Sequence, residues 1–338
     1  MKKLSENIFN KGLRQDQPKL SLWRHAGLML TYKCPAACEF CYYNCSPDKG
    51  GLMPVDTALN AWSSMIDLAG DYAEIHITGG EPFLYFDYLA ELTERAKNDR
   101  LTGLDAIETN ACWATDSNTI IKRLTVLKQN GLRRLKISWD PFHAQFIEAE
   151  KVILLAQTAP DVLGRDNVLV RWAKYLDKDI DMKALDIDQR WQLYKETRDS
   201  YSVRFTGRAA GKLADLYADK SPQSLANLNC NNYYLSAKGV HIDPYGNVFS
   251  GLCSGIIIGN VNQKPLMNIW QEFDPATHPL VADLCQGGPT ALIHLAEEQG
   301  YKIRPKYAGK CHLCTDLRQF FFDKGQKLPI IGPSECYF

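Results

Sequence analysis

Between residues 27 and 206, short apolar runs alternate along the chain with longer segments of helical periodicity. The runs have the length and composition of strands, and the longer segments place apolar residues at i, i+3 and i+4. Such alternation predicts a parallel sheet whose functional residues lie in loops at the carboxyl ends of the strands. The predicted strands are Gly27–Thr31, Glu74–Thr78, Leu104–Thr109, Leu135–Ser138, Asn167–Arg171 and Tyr201–Phe205. The predicted helices lie near 55–70, 86–98, 117–130, 143–157 and 185–197.

The pattern changes after about residue 207. The segment 239–249 alternates around a Pro-Tyr-Gly-Asn turn, which is typical of a β-hairpin, and short helical pieces follow near 265–273 and 290–299. More than half of the cysteines also lie in this last part. We therefore predict an N-terminal segment (1–24), a parallel α/β domain (25–210) and a smaller cysteine-bearing α+β domain (211–338).

Composition narrows the class of protein. A length of 338 residues suits about two domains, and 45% hydrophobic with 23% charged residues excludes a disordered, collagen-like or coiled-coil chain. Lys+Arg and Asp+Glu number 39 each, so the zero net charge argues against nucleic acid or an anionic membrane as the primary partner. The polar N-terminus and the lack of long apolar runs predict a cytoplasmic protein with no membrane partner.

The eleven cysteines are the unusual feature of the composition. An odd number argues against a complete disulfide framework, and clustered cysteines in a reducing compartment indicate metal binding or redox chemistry. Cys34, Cys38 and Cys41 follow the first predicted strand, and three thiolates so spaced can hold three irons of a cubane cluster. The fourth iron stays open, as a catalytic metal site requires. Two alternatives to this open cluster exist. Cys45 could be a fourth ligand, or the three cysteines could form half of a zinc site.

This loop, with the aromatic Phe40 directly before its third cysteine, resembles that of the radical S-adenosylmethionine (SAM) enzymes. A second motif, Gly79-Gly80-Glu81-Pro82, follows the second predicted strand, and in that family such a segment holds the amino group of the methionine moiety. Glycines permit close backbone approach, and carbonyls beside a carboxylate suit an ammonium group. A simple turn is the competing interpretation. The resemblance implies a partial (β/α)6 TIM-like barrel over 25–210, with a [4Fe-4S] cluster and SAM as cofactors.

The same resemblance assigns cofactor contacts to polar residues at the ends of other predicted strands. It implies that Asn110, Ser138 and Asp140 contact the ribose hydroxyls and the methionyl carboxylate. Arg171, at the end of the fifth predicted strand, can pair with a carboxylate in bidentate fashion. Phe40 is expected near the adenine. The alternatives are that the polar residues cap helices and that Phe40 packs in the core.

A second set of cysteines lies in the last third of the chain. One precedes the predicted hairpin, one follows it, and a Cys-x2-Cys pair comes later; this resembles the shortened (twitch) form of the SPASM extension. The resemblance implies an auxiliary [4Fe-4S] cluster, for which a zinc site is the alternative. Cys285 and Cys336 are left over, and Cys336 could replace one of the four. The expected ligands are Cys230, Cys253, Cys311 and Cys314.

The resemblance implies that the enzyme reductively cleaves SAM to a 5′-deoxyadenosyl radical, which abstracts hydrogen from a substrate carbon. An electron donor such as flavodoxin or ferredoxin is expected, and Cys112 or Cys253 could act as a thiol that quenches a substrate radical. The expected substrate is a ribosomally made peptide that is epimerised or cross-linked. The alternatives are dehydrogenation of a small molecule such as a sugar or aminocyclitol, and a non-catalytic iron-sulfur or zinc protein.

Overall fold

The computed structural model describes residues 2–338 apart from 174–175, 177–180, 182, 196–203, 252 and 327–328. Its sheet has eight strands in the order β5-β4-β3-β2-β1-β6-β7-β8. The sixth predicted strand, Tyr201–Phe205, falls largely outside the described residues. The strands are β1 (His25–Met29), β2 (Glu74–Thr78), β3 (Leu104–Thr109), β4 (Arg134–Ile137), β5 (Val168–Val170), β6 (Gly239–Ile242), β7 (Asn247–Ser250) and β8 (Gly259–Asn260).

The first five strands pair in parallel and in chain order, with helices between them, so the predicted α/β class is confirmed. Helices α2, α3 and α4 match the predicted segments closely. The helices are α1 (Ile8–Lys11), α2 (Val55–Ala69), α3 (Phe86–Asn98), α4 (Ser117–Gln129), α5 (Ala149–Leu163), α6 (Ile187–Lys195), α7 (Arg208–Lys212), α8 (Asn231–Tyr234), α9 (Leu266–Glu272), α10 (Val281–Gln286), α11 (Ile293–Glu297) and α12 (Lys310–Asp323).

Helix α5 begins later than the predicted 143–157, because the chain first makes a turn at the end of β4. Asp140 accepts hydrogen bonds through Oδ1 from the backbone N–H groups of Phe142 (2.8 Å) and His143 (3.0 Å). An aspartate that bonds the backbone two residues ahead favours a turn over a continued helix. The helix therefore starts only at Ala149.

The predicted hairpin forms β6 and β7, and it joins the same sheet as the first five strands. Strand β6 pairs in parallel with β1, with His25 opposite Gly239, and β7 returns antiparallel. The cysteine-rich last third is thereby attached directly to the strand that precedes the first cysteine loop.

The core lies between the sheet and its covering helices. Ala58, Leu59, Trp62 and Met65 form the buried stripe of α2, as the i, i+3, i+4 spacing predicts. The indole N–H of Trp62 donates to the carbonyl of Thr102 (2.7 Å), so its polar atom is satisfied. Each large apolar side chain buried in this way contributes about 1.5–3 kcal/mol. Among the described residues, no helix is both long and apolar enough to cross a bilayer.

Candidate functional site

A cavity lies at the carboxyl ends of the parallel strands, where βα folds place their sites. It contains about 870 Å³ of space, part of it open to solvent. Thr78, Glu108 and Trp172 belong to its lining, and the structure also brings most of the predicted cofactor residues to it. These are Cys34, Cys38, Phe40, Cys41, Gly79, Gly80, Asn110, Ser138, Asp140 and Arg171.

The first cysteine loop is held by backbone hydrogen bonds to its neighbours. The N–H of Cys34 donates to the carbonyl of Ser46 (3.1 Å), and the N–H of Cys41 donates to the carbonyl of Cys38 (3.1 Å). Arg208, on α7, donates from Nη1 to that same Cys38 carbonyl (3.1 Å). The loop therefore has a defined shape through protein contacts alone, and its three cysteines line the cavity, as does Cys45.

Two of these thiols accept hydrogen bonds. Asn110 Nδ2 donates to Cys34 Sγ (3.4 Å), and the N–H of Cys45 donates to Cys41 Sγ (3.3 Å). Burial raises the pKa of Cys34 and of Cys38, whereas a hydrogen bond with the Cys45 thiol lowers the pKa of Cys41. Donors aimed at sulfur suit thiolate ligands, and binding of a cationic cluster would displace the thiol protons.

The Gly79-Gly80 pair lies against the end of β1. Gly80 donates its N–H to the carbonyl of Thr31 (2.7 Å), and a Cβ on Gly80 would lie 2.0 Å from the carbonyl oxygen of Lys33. Gly79 has a φ of +120°, which favours glycine. Only glycines allow the backbone to come this close to the cysteine loop. Because they have no side chains, their backbone groups are exposed at the cavity wall.

Glu81 and Pro82 do not line the cavity. The fully buried Glu81 carboxylate accepts from the N–H groups of Asn110 (2.7 Å) and Phe83 (3.1 Å) and from the Thr109 hydroxyl (2.9 Å). Burial raises the pKa of Glu81 to about 7, and these donors oppose the rise. The carboxylate therefore ties the glycine segment to the end of β3, while Pro82 begins the following turn.

Asp140 combines a cavity position with a local structural role. Its Oδ2 lies 2.6 Å from His143 Nδ1, and both residues line the cavity. Burial disfavours the charged imidazole, but Asp140 raises the pKa of His143 above its ordinary value. Arg171, also at the cavity wall, has a partly exposed side chain. An acid, an imidazole and a guanidinium thus surround the same space.

Sequence reasoning missed an ionic group at the cavity wall. Glu108 accepts from the Thr78 hydroxyl (2.9 Å), and its Oε1 lies 3.4 Å from Arg171 Nη2 and 3.7 Å from Lys136 Nζ. Burial alone would raise the pKa of Glu108, but His76, Arg171 and Lys136 hold it below its ordinary value. The alternation of side chains along a strand could have indicated this group. Glu108 and Lys136 stand two residues before the strand-end residues Asn110 and Ser138, so they face the same side of the sheet.

Cys112 lies on the turn after β3, half-buried, outside the lining of the cavity. Its N–H donates to Asn110 Oδ1 (3.0 Å), and burial raises its pKa to about 12.

The second set of cysteines surrounds a separate cavity of about 350 Å³. All four predicted residues line it: Cys311 and Cys314 from the first turns of α12, Cys230 beside α8, and Cys253 from the loop after β7. Burial raises the pKa of Cys230 and Cys311, and raises that of Cys253 to about 12. Four cysteines around one cavity, two of them buried and two half-buried, are a donor set that suits an iron-sulfur cluster.

Two leftover cysteines, Cys285 and Cys336, line neither cavity. Cys336 Sγ lies 3.6 Å from the hydroxyl of Tyr32, because the C-terminal tail returns to the first cysteine loop. There Asn44 Nδ2 donates to the carbonyl of Tyr337 (2.8 Å). Among the described residues, no three His, Cys, Asp or Glu side chains are grouped closely enough to bind a single metal ion.

Several solved structures are similar to this chain. BtrN in complex with AdoMet and 2-DOIA has 15% identity and a TM-score of 0.46, over 80% of this chain and 90% of that chain. The structure of anSMEcpe with bound AdoMet has 13% identity and a TM-score of 0.44, and the match covers 89% of this chain and 97% of that chain. The structure of Streptococcus suis SuiB bound to S-adenosylmethionine has 15% identity and a TM-score of 0.39, and the match covers 78% of this chain and 67% of that chain. No curated protein matches the sequence.

The fold and the site define an enzyme with a parallel βα core and a cysteine loop at the carboxyl ends of its strands. Residues 28–152 match the family model described as the Radical SAM superfamily. This segment runs from β1 into α5 and contains both the cysteine loop and the Gly79-Gly80 pair. This segment of the chain therefore carries a radical SAM domain, and the protein is an enzyme.

Proposed function

We propose that the protein uses a [4Fe-4S] cluster on Cys34, Cys38 and Cys41 to cleave SAM and abstract hydrogen from a substrate carbon. The observation that carries this proposal is that Cys34, Cys38 and Cys41 line one cavity together with Gly79 and Gly80. When bound, the reduced cluster and SAM supply a 5′-deoxyadenosyl radical for the abstraction. The reducing electron comes from a donor such as flavodoxin or ferredoxin.

The chain's own residues bind and orient the cofactor. The backbone at Gly79 and Gly80 receives the ammonium group, and the strand-end residues Asn110, Ser138 and Asp140 receive the hydroxyls. Arg171 Nη2 lies 3.4 Å from Glu108, and within the described part of the chain the other N–H groups of this guanidinium can donate to a carboxylate. Phe40 is proposed to lie beside the adenine, and it stands in an aromatic group with Tyr42, Phe142 and Tyr194.

An auxiliary [4Fe-4S] cluster on the second set of cysteines forms part of the proposal. The twitch-like extension over 211–338 would hold it through Cys230, Cys253, Cys311 and Cys314. Its support is the cavity that these four cysteines line together. Four cysteine ligands leave no open iron, which favours electron transfer over SAM chemistry.

We infer that the substrate is a residue of a ribosomally made peptide, which the enzyme epimerises or cross-links in the cytoplasm. The cavity is open on one side and lined by four aromatic side chains, Phe40, Tyr42, Tyr43 and Trp172. Aromatic walls pack well around a side chain that enters from outside, while the rest of the peptide stays at the mouth.

A second candidate is the dehydrogenation of a small molecule such as a sugar or aminocyclitol. The ionic group of Glu108, Lys136 and Arg171 favours it, because a carboxylate between two cations can bind hydroxyl and amino groups. In that reaction the auxiliary cluster would accept the second electron.

The decisive experiment is anaerobic reconstitution with iron and sulfide, followed by incubation with dithionite and SAM. Release of 5′-deoxyadenosine supports the proposal, and its absence from protein loaded with iron rejects it. Iron near 8 atoms per chain indicates two clusters, and iron near 4 with one zinc indicates a structural auxiliary site. A short peptide encoded beside the gene and a panel of aminocyclitols would then be compared as substrates by mass spectrometry in deuterated water.

A further inference from the structure

Arg318 is a buried cation beside the second set of cysteines. It lies on α12 one turn after Cys314, it is 3% exposed, and it lines the same cavity as the four thiols. Nη1 donates to the carbonyl of Ser254 (2.8 Å) and to the hydroxyl of Tyr337 (3.3 Å), and Nη2 donates to Thr315 Oγ1 (3.1 Å). Each of these partners is neutral.

No carboxylate within the described part of the chain forms an ion pair with Arg318, and its Nε is buried with no hydrogen-bond partner there. An unpaired buried charge is strongly destabilising, so such a cation needs a compensating anion. Burial disfavours the charged guanidinium, but the neighbouring Tyr337 and Cys314 raise the pKa of Arg318, which therefore stays protonated.

Among the described residues that line this cavity there is no carboxylate, so its cysteine thiolates supply the negative charge. Four thiolates carry more negative charge than a cubane core neutralises, so a loaded site is a net anion next to Arg318. We propose that Arg318 is the fixed countercharge of the auxiliary cluster and raises its reduction potential. This inference rests on the auxiliary cluster proposed above.

The physical argument concerns the added electron. Reduction makes the cluster more negative, and a cation held in a buried, low-dielectric site stabilises the reduced form more than the oxidised form. Arg318 cannot move away, because Ser254, Thr315 and Tyr337 fix both of its terminal nitrogens. Its effect is therefore a permanent part of the site, and Arg318 acts as a positioning residue for electron transfer.

The test uses the reconstituted full-length holoenzyme and two substitutions. Arg318→Gln keeps amide donors but removes the charge, whereas Arg318→Lys keeps the charge. The midpoint potential of each cluster is measured by electron paramagnetic resonance during a redox titration. In Arg318→Gln we expect reduction of the auxiliary cluster to become at least tenfold less favourable, a shift of about −59 mV for one electron.

Arg318→Lys should stay near the wild-type potential, and the SAM-binding cluster should keep its potential in both variants. Arg14→Gln, at an exposed position, controls for the change in net charge. Loss of auxiliary iron from the Gln variant alone also supports the countercharge. Equal potentials of the auxiliary cluster in the wild type, Arg318→Gln and Arg318→Lys overturn the proposal. Loss of auxiliary iron from Arg318→Lys also overturns it, because the shape of the side chain and not its charge would then hold the cluster. A wild-type enzyme without a second cluster rejects the auxiliary-cluster proposal itself, and the countercharge with it.

Discussion

Asn110 connects the two cofactor motifs of the site. Its Nδ2 donates to Cys34 Sγ (3.4 Å), and its backbone N–H donates to the Glu81 carboxylate (2.7 Å). One residue at the end of β3 therefore positions a cluster thiol and the glycine segment together. The hydrogen bond to sulfur also has an electronic consequence, because donors to cluster sulfurs raise the reduction potential.

We predict that Asn110→Asp lowers the reduction potential of the SAM-binding cluster. Aspartate has the same shape and still accepts from the Cys112 N–H, but it replaces the donor at Cys34 with an acceptor. A redox titration followed by electron paramagnetic resonance measures the change. Asn118→Asp, at an exposed position on α4, is the matched control and should leave the potential unchanged. An unchanged potential in Asn110→Asp would show that this hydrogen bond does not influence the cluster.

The two cysteine sets should be separable. Replacing Cys34, Cys38 and Cys41 together by alanine is expected to lower iron from about 8 to about 4 atoms per chain and to abolish 5′-deoxyadenosine release. The auxiliary signal should remain, because its four thiols line a different cavity. Cys285→Ala, which lines neither cavity, should keep all of the iron. Loss of both signals from the triple variant would contradict two independent sites.

The cysteine loop and the glycine motif could be predicted because their chemistry lies in short stretches of chain, directly after recognisable strands. The alternation along β3 and β4 could have placed Glu108 and Lys136 on the same face as the strand-end residues, but not their contacts, which depend on the register that sets β3 beside β2 and β4. The pairing of β6 with β1 could not be predicted from the sequence either, because it joins residues such as Ala26 and Val240 that are distant in sequence.

Local hydrogen bonds account for two further differences between prediction and structure. The Asp140 side chain bonds its own loop, which delays the start of α5. The Glu81 carboxylate turns toward Asn110 and Thr109 rather than into the cavity, so the motif's acidic residue supports the backbone. Spacing along a sequence shows which residues are close together, but it does not show where each side chain points.

Gly80→Ala should abolish SAM binding. A Cβ at this position would lie 2.0 Å from the Lys33 carbonyl oxygen, so the segment would have to move away from the cysteine loop. Overpacking of this kind costs about 1–3 kcal/mol or more in stability. Equilibrium dialysis with labelled SAM and the thermal midpoint measure both effects. Gly50→Ala, where an added Cβ meets nothing within 4 Å, is the control. Wild-type affinity in Gly80→Ala would contradict the close approach.

Cys45 should be dispensable for iron binding. Cys45 lines the same cavity and its thiol forms a hydrogen bond with Cys41, which lowers the pKa of Cys41, but the proposed cluster leaves its fourth iron open for SAM. Cys45→Ala is therefore expected to keep its full iron content, whereas Cys41→Ala loses the SAM-binding cluster. Iron analysis after anaerobic reconstitution compares the two variants. Equal loss of iron would make Cys45 the fourth ligand.

The imidazoles of His76 and His241 meet on the inner face of the sheet, with their Nε2 atoms 3.2 Å apart. A Cβ on Gly27 would lie 2.2 Å from His241 Cδ2, so glycine at this position of β1 makes room for the rings. His241 Nδ1 must donate to the carbonyl of Gly251 (2.6 Å), which leaves its Nε2 to accept from His76 Nε2–H. This arrangement requires His241 to be neutral, and burial keeps His76 neutral as well by lowering its pKa.

Acid should therefore destabilise the fold through this pair. Burial, reinforced by His241, lowers the pKa of His76 to about 3 from an ordinary value of about 6.5. Between these values the unfolded chain binds a proton that the folded chain does not, so stability falls as pH falls through this window. His76→Gln keeps a donor but cannot titrate, and it should flatten the fall of the thermal midpoint between about pH 7 and about pH 5. The exposed His294→Gln should retain the wild-type slope. Identical slopes in all three proteins would show that His76 is not the group whose protonation is linked to unfolding.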